Sequence, residues 1–471
     1  MLGIPRIVPR RNVGETNQKT PIYSGVFFAK KWGLPKVGKL EKKPQMKYTC
    51  HMEYFEIQGG KKLKGEIDVR GSKNATTPIL AATLLTKEEC VLSNIPLIED
   101  VFRMLEILES MGVSVKWLGE RKISVKAEKI RPEKINIEKV KLLRSSILLL
   151  GSLSARFEKF KLYHPGGCVI GKRPVDAHFK ALEQLGVDIK QDGKSYVINA
   201  KNKKAGKVVL SGMSVTATEN AMMLAAGLSG KTIIKICACE PHVEDLGRFL
   251  VSMGAKISGL GTHTLEIIGT KKLHGAKHSI IPDANEAATF LIMGVATQSP
   301  IRVKNAREEH LDLVLEKLRE FGADFKINNN YIEVVPAKKL KAVSKLDTRT
   351  YPGIPSDVQA PFGILATQAE GQTLMHDTLF EGRFNYIGEI KRMGANAKVL
   401  DMHQVMIAGP TKLRGNGIKS FDLRAGASLI IAALLADGKT IIKDIYQVDR
   451  GYEKIEERLQ KLGADIKRIR K

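Results

Sequence analysis

A short signature returns six times along the chain: the end of an apolar, helix-like run, then Gly, then an alternating strand-like run. It reads "SMGVSVKW" at Gly112, "QLGVDIK" at Gly186, "SMGAKIS" at Gly254, "EFGADFKI" at Gly322, "RMGANAKV" at Gly394 and "KLGADIKRI" at Gly463. The glycines stand 74, 68, 68, 72 and 69 residues apart. A period near 70 repeated six times marks duplication of one supersecondary unit. Each glycine is placed just past a helix, where a left-handed backbone excludes most side chains.

A second element alternates with the first. Runs such as "NATTPILAATLL", "RSSILLLGSLSA", "ENAMMLAAGLSG", "EAATFLIMGVAT", "APFGILATQA" and "GASLIIAALLAD" carry few charges over about three turns. A helix apolar nearly all round is buried. The helices that end in the signature glycines, such as "LDLVLEKLREFG", are amphipathic and face solvent on one side. Each unit therefore reads βαβαββ. Six such units predict an α/β chain with sheets outside and helices inside, a two-domain inside-out α/β barrel. Three units per globule give residues 52–72 plus 281–471 as one discontinuous domain and 73–280 as the other. The first strand, near residues 53–60, is expected to pair with the last unit.

Residues 1–51 fall outside the repeat. They are rich in Pro, Gly, Lys and Arg, with Glu15 and Glu41 as their acidic residues, and are read as a disordered extension or as sequence upstream of a true start at Met46 or Met52. The net charge of +26 favours anionic partners, from nucleic acid to phosphorylated small molecules. The lysines are spread along the whole chain, and no RNP motif or paired CxxC accompanies them, so nucleic acid is not the expected partner. No apolar run approaches the 18 residues of a membrane span. Five cysteines in a chain of 471 residues fit a reducing, cytoplasmic compartment. Cys237-Ala-Cys239 alternates as a strand would and lacks zinc-ligand spacing, so both thiols are read as core and no metal or cofactor is expected.

Chemistry concentrates at the loops that open the apolar helices. In "HPGGCVIGKRPVD", Cys168 lies in a glycine-rich, cationic loop of about 164–174. Such a setting keeps a thiol accessible and favours the thiolate, whereas a structural cysteine is packed in apolar surroundings. The candidate roles are nucleophile or general acid. "RGSKNATTP" puts Lys73 and Asn74 at a helix N-terminus, a place suited to an anion. "YPGIPSDVQ" puts Asp357 at the start of another; read alone, it is an N-terminal cap. Arg144, Arg424 and Arg450 occupy corresponding junctions, either as bidentate anion contacts or in ion pairs, with Asp422 and Asp449 the nearest partners for the last two. If the buried helices run parallel in each globule, their positive ends converge and two sets face each other as a metal-free anion trap.

From about Met52 onward the chain resembles the enolpyruvyl transferases, and among them the branch that acts on a UDP-sugar. "GSKNA", "HPGGCVIGKRPVDAH", "PSDVQ", "FEGRF", "DLRA" and "DRGYE" stand in the order and spacing of that family. Ser72, Ser356 and Gly426 are mild departures from its usual residues. The resemblance implies transfer of the enolpyruvyl group of phosphoenolpyruvate to the 3′-hydroxyl of UDP-N-acetylglucosamine, with release of phosphate, as the first committed step of peptidoglycan synthesis. It implies that Lys73, Arg173 and Arg450 contact phosphoenolpyruvate and that Cys168 is a general acid. Asn74, Arg144, the segment Arg173, Pro174, Val175, Asp176 and Ala177, and the segment Gly212, Met213, Ser214 and Val215 would bind the nucleotide sugar. Asp357 would stand at the 3′-hydroxyl, with Leu379 as a neighbouring backbone contact and Arg424 nearby. The rivals are a shikimate-pathway enolpyruvyl transferase and an RNA-binding protein on the same scaffold.

Overall fold

All six signature glycines lie at positive φ, between +83° and +108°, in the computed structural model of the chain. Each closes its helix in the same way. The glycine N–H donates three residues back, as Gly322 does to Arg319 O at 2.8 Å, and the next N–H donates five residues back, as Ala323 does to Leu318 O at 3.0 Å. This is the paired closure of a helix C-terminus that needs a left-handed residue. The structure describes residues 53–167, 170–171 and 173–470. The expectation for residues 1–51 lies outside the described residues.

The sheets form the outside. Among the described residues there are five four-stranded sheets and one three-stranded sheet. Their strands alternate, as in Lys439–Lys443, where Thr440 and Ile442 point inward and Lys439 and Lys443 outward. The apolar helices form the inside, while amphipathic ones such as Asp312–Glu320 bury one face only. Ala284–Ala296 is buried from Glu286 to its end, and Gln359–Ala366 is buried throughout. Both pack against Leu423–Leu435, whose residues up to Leu434 are all buried. Leu149–Arg156 and Val215–Ala226 pack together likewise, with Lys73–Ala82 beside the former. Asn220 is matched inside the core: it accepts from Gly151 N at 2.7 Å and donates to Ile147 O at 3.2 Å. Residues such as Leu291 and Leu429 are fully buried, and trimming one to Ala would cost about 2–5 kcal/mol.

Two local features differ from a strict repeat. Five sheets carry a parallel edge strand, but the sheet of Lys159–Tyr163, Asp188–Asp192 and Ser195–Asn199 has none. The chain ahead of the second inner helix instead forms helical turns, Ile137–Leu142 and Arg144–Leu148, the first capped by Asn136 accepting from Lys139 N at 3.1 Å. The cysteine pair is not in a strand. Gly230–Lys235 ends before Ile236, which turns at φ +62°, so Cys237 and Cys239 lie in the following loop, though both remain buried.

The first strand, Tyr54–Gln58, lies between Lys439–Lys443 and Asp465–Ile469, antiparallel to both. The next, Gly65–Asp68, runs parallel to Ile301–Lys304, while Lys277–Ser279 runs parallel to Glu89–Ser93. The chain thus crosses between sheets twice, and the crossings touch: Gly71 bridges Pro282, and Ser72 N donates to Ile281 O at 2.7 Å. A Cβ on Gly71 would sit 1.8 Å from Asn94 O, so only glycine fits there. No helix of the described residues is long and apolar enough to cross a membrane.

Candidate active site

The crossings bring helix N-termini together. Asp283 caps its own helix, Ala284–Ala296, by accepting from Glu286 N at 3.0 Å, and its second oxygen accepts from Lys73 N at 3.1 Å. One carboxylate thus serves two positive helix ends. Lys73 extends its Nζ to Asp100 Oδ2 at 3.5 Å. Arg450 meets the same carboxylate, Nε on Oδ1 at 2.9 Å. Its partner is therefore Asp100, not the adjacent Asp449, which pairs with Arg468.

Asp357 is not a cap. It lies in the turn Ser356–Val358 that leads into Gln359–Ala366, and its carboxylate is taken by side chains. Arg383 donates to Oδ1 at 2.6 Å, while Arg424 Nε and Asn285 Nδ2 each meet Oδ2 at 3.2 Å. Burial by itself would raise the Asp357 pKa, but Arg424, Arg383 and Lys73 outweigh it and hold the carboxyl well below the usual range. Arg424 is 2% exposed and also donates to Tyr452 Oη at 3.2 Å. Asp422 caps the helix of Arg424 through its backbone N–H, at 2.9 Å, so the expected Arg424–Asp422 side-chain pair is replaced by Arg424–Asp357.

A third group surrounds the loop. Cys168 lies outside the described residues. Arg144 donates to Arg173 O at 2.6 Å and Pro174 O at 3.2 Å, and burial together with nearby Arg173 pulls its pKa down to about 10, still protonated at neutral pH. Val175 O is held by His178 Nδ1 at 3.1 Å, while Nε2 faces Thr216 Oγ1 at 2.8 Å. Burial lowers His178 to about 4, so it is the neutral imidazole, donating from Nδ1 and accepting at Nε2. Asp176 and Ala177 begin the helix Asp176–Glu183. Ser214 caps Val215–Ala226, with its own N–H on Gly212 O at 2.7 Å, and Met213 is exposed beside Thr350.

Ile170 meets the segment that carries Arg383. Gly382 N donates to Ile170 O at 3.0 Å, and a Cβ on Gly382 would come within 2.7 Å of the Ile170 carbonyl carbon. Arg173 and Arg383 both lie over the Phe380 ring, at 5.9 and 5.3 Å. Leu379 is exposed and donates its N–H to Asp377 Oδ1 at 3.0 Å. Asn74 is half-buried in the first turn after Lys73. The reading of single residues missed Asp100, His178, Asn285, Arg383 and Tyr452, although "FEGRF" had marked the neighbourhood of Arg383. It also missed His242, in the first turn of Pro241–Ser252. Burial pulls His242 to about 4, and the charges of Asp283, Asp357, Asp245 and Lys73 all reach it.

The described architecture has counterparts among solved structures. The family model for EPSP synthase (3-phosphoshikimate 1-carboxyvinyltransferase) matches residues 57–459. The chain belongs to that family of enolpyruvyl transferases. It is 44% identical over 423 residues to the UDP-N-acetylglucosamine 1-carboxyvinyltransferase of Koribacter versatilis, covering 89% of this chain and 97% of that one. It is 41% identical to the protein of the same name from Finegoldia magna, covering 89% and 99%. The crystal structure of the enolpyruvyl transferase NikO from Streptomyces tendae superposes with a TM-score of 0.81 at 25% identity, over 89% of this chain and all of that one. An EPSP synthase from Acinetobacter baumannii shares the fold, with a TM-score of 0.67 at 19% identity over 88% of this chain and 100% of that one.

Proposed function

We propose that the chain transfers the enolpyruvyl group of phosphoenolpyruvate to the 3′-hydroxyl of UDP-N-acetylglucosamine, releasing phosphate, in the cytoplasm and as the first committed step of peptidoglycan synthesis. Relatives of that name at 41–44% identity over 89% of the chain carry the reading. Lys73 and Arg450 both meet Asp100, and Arg173 lies over Phe380, and this reading assigns the three cations to a substrate that carries both phosphate and carboxylate. In this reading the sugar hydroxyl adds to C2 of phosphoenolpyruvate as its proton passes to Asp357, and C3 takes a proton from Cys168. The tetrahedral adduct then returns a C3 proton to the Cys168 thiolate as the C–O bond to phosphate breaks, which restores the C2=C3 double bond. The cations offset charge as it moves toward the leaving group.

Asp357 orients the hydroxyl. Two guanidinium groups keep it ionised and make it a weak base, so positioning is its larger contribution. Arg144, the segment 173–177, the segment 212–215, Asn74 and the Leu379 backbone form the nucleotide-sugar side, with Arg424 fixing Asp357 from behind. Residues 52–72 plus 281–471 and residues 73–280 are taken as two domains that enclose the substrates and exclude water, with the loop docked on Gly382 as the lid. The test is phosphate release assayed with each substrate alone, with both, and with shikimate 3-phosphate replacing the nucleotide sugar. Release that requires phosphoenolpyruvate and UDP-N-acetylglucosamine together supports the assignment. Release with shikimate 3-phosphate, or none with either acceptor, overturns it.

A further inference from the structure

Asp100 is a buried carboxylate with no place in the reaction just described. It is 5% exposed, in the first turn of Glu99–Ser110, and its charge is offset by two cations. Oδ1 accepts from Arg450 Nε at 2.9 Å, and Oδ2 lies 3.5 Å from both Arg450 Nη2 and Lys73 Nζ. Lys73 opens one inner helix. Arg450 follows the short helix Tyr446–Asp449, where Gln447 Oε1 also takes its Nη1 at 3.2 Å. The carboxylate therefore joins one cation from each side of the chain crossings.

We propose that Asp100 is a positioning residue that acts as an internal counter-anion, holding Lys73 and Arg450 in place and competing with the anionic substrate and with product phosphate for them. This rests on the assignment of Lys73 and Arg450 to phosphoenolpyruvate. Like charges held close together repel, and a shared carboxylate removes that repulsion. The same carboxylate weakens the hold of the pair on any other anion. Affinity shared equally by substrate and product does not raise turnover, and phosphate held too tightly delays release. Asp100 thus trades binding strength for release.

Asp100→Asn keeps the shape and removes the charge. In the full chain it should strengthen inhibition by inorganic phosphate about tenfold and lower KM for phosphoenolpyruvate about tenfold, a change of roughly 1.4 kcal/mol. Turnover should fall in the same experiment, because release becomes slow. Asp100→Glu restores the charge and should return phosphate inhibition to within about twofold of wild type, as expected for a charge effect that needs little change of reach. A merely structural residue would give the opposite pattern, with KM and the phosphate inhibition constant unchanged or weaker in Asp100→Asn; that result overturns the proposal. Should Asp100→Asn fail to fold, refolding in inorganic phosphate decides: recovery supports the counter-anion role, and failure to recover overturns it. If wild-type enzyme does not use phosphoenolpyruvate at all, the functional assignment falls first, which the wild-type control reads directly.

Discussion

The guanidinium of Arg383 donates to Asp357 Oδ1 at 2.6 Å while its Nε donates to Ser356 Oγ at 3.0 Å, so one arginine grips two successive residues. Arg424 holds the other oxygen of Asp357 from a site that is 2% exposed. Asp357→Asn removes the shared charge and leaves Arg424 without its carboxylate. Breaking a buried pair from one side is strongly destabilising. The variant should lose turnover on the order of 10²-fold and should also melt at a lower temperature than wild type. Steady-state kinetics with scanning calorimetry checks both. An unchanged midpoint would mean that Asp357 does not stabilise Arg424.

His178 makes stability depend on pH. Burial holds it near 4 in the folded chain, against about 6.5 in an unfolded one. The unfolded state therefore binds the proton first. Its contribution to stability is complete above 6.5 and is lost as pH falls toward 4, by up to about 1.4 kcal/mol per pH unit and on the order of 3 kcal/mol in all. His242 has the same sign and overlaps this window, so the comparison must be differential. Urea unfolding at pH 7 and pH 5 should show a smaller loss for His178→Gln than for wild type, and equal losses would refute the assignment.

Gly382 marks where Ile170 lands. Its Cβ in Gly382→Ala would press on the Ile170 backbone at 2.7 Å. The loop must lift, and Arg173 lifts with it. Misplacement of a binding group by about 1 Å can cost on the order of 10²-fold. We expect kcat/KM to fall by about 10- to 100-fold with little change in melting temperature, because Gly382 is half-buried and lies outside the inner helices. Activity at the wild-type level would show that the loop does not need this contact.

Thiol chemistry should be selective. Cys90, Cys237 and Cys239 are 0%, 0% and 8% exposed. Burial raises the pKa of all three, that of Cys237 to about 11. A thiolate reagent at neutral pH should spare them and label Cys168, together with Cys50 if that residue is accessible. Phosphoenolpyruvate with UDP-N-acetylglucosamine should protect Cys168 alone. Peptide mapping that finds the label on Cys90 or Cys237 would contradict this.

The repeat and its glycines were legible because a helix end that needs positive φ leaves a residue-level mark, and Gly112 through Gly463 carry it six times. The inner helices were legible because an apolar run without a polar face has one place to go. The missing edge strand before Leu149 was not, since Asn136 offers a cap to a short helix only once its neighbours are placed. The ends of the inner helices marked the site for Lys73 and Asp357, whereas Arg450, expected at such an end, follows the short helix Tyr446–Asp449 instead. What the one-dimensional pattern concealed was partnership. Arg424 and Arg450 each have an acid nearby in sequence, yet their carboxylates are Asp357 and Asp100, which stand 67 and 350 residues away. Such pairs depend on the chain crossings and leave no local spacing to read.

The seat of the first strand also sets an order of events during synthesis. Tyr54–Gln58 finds its neighbours in Lys439–Lys443 and Asp465–Ile469, close to the end of the chain. At ordinary rates of translation the wait between them is about 20–80 s. For that time Phe55 and Ile57, which are fully buried in the finished molecule, have no sheet to enter, while residues 73–280 already have all the strands they pair with. An unpaired strand with an apolar face is a template for wrong pairing. The nascent protein is therefore vulnerable at Tyr54–Gln58 until the two strands on either side of it are made.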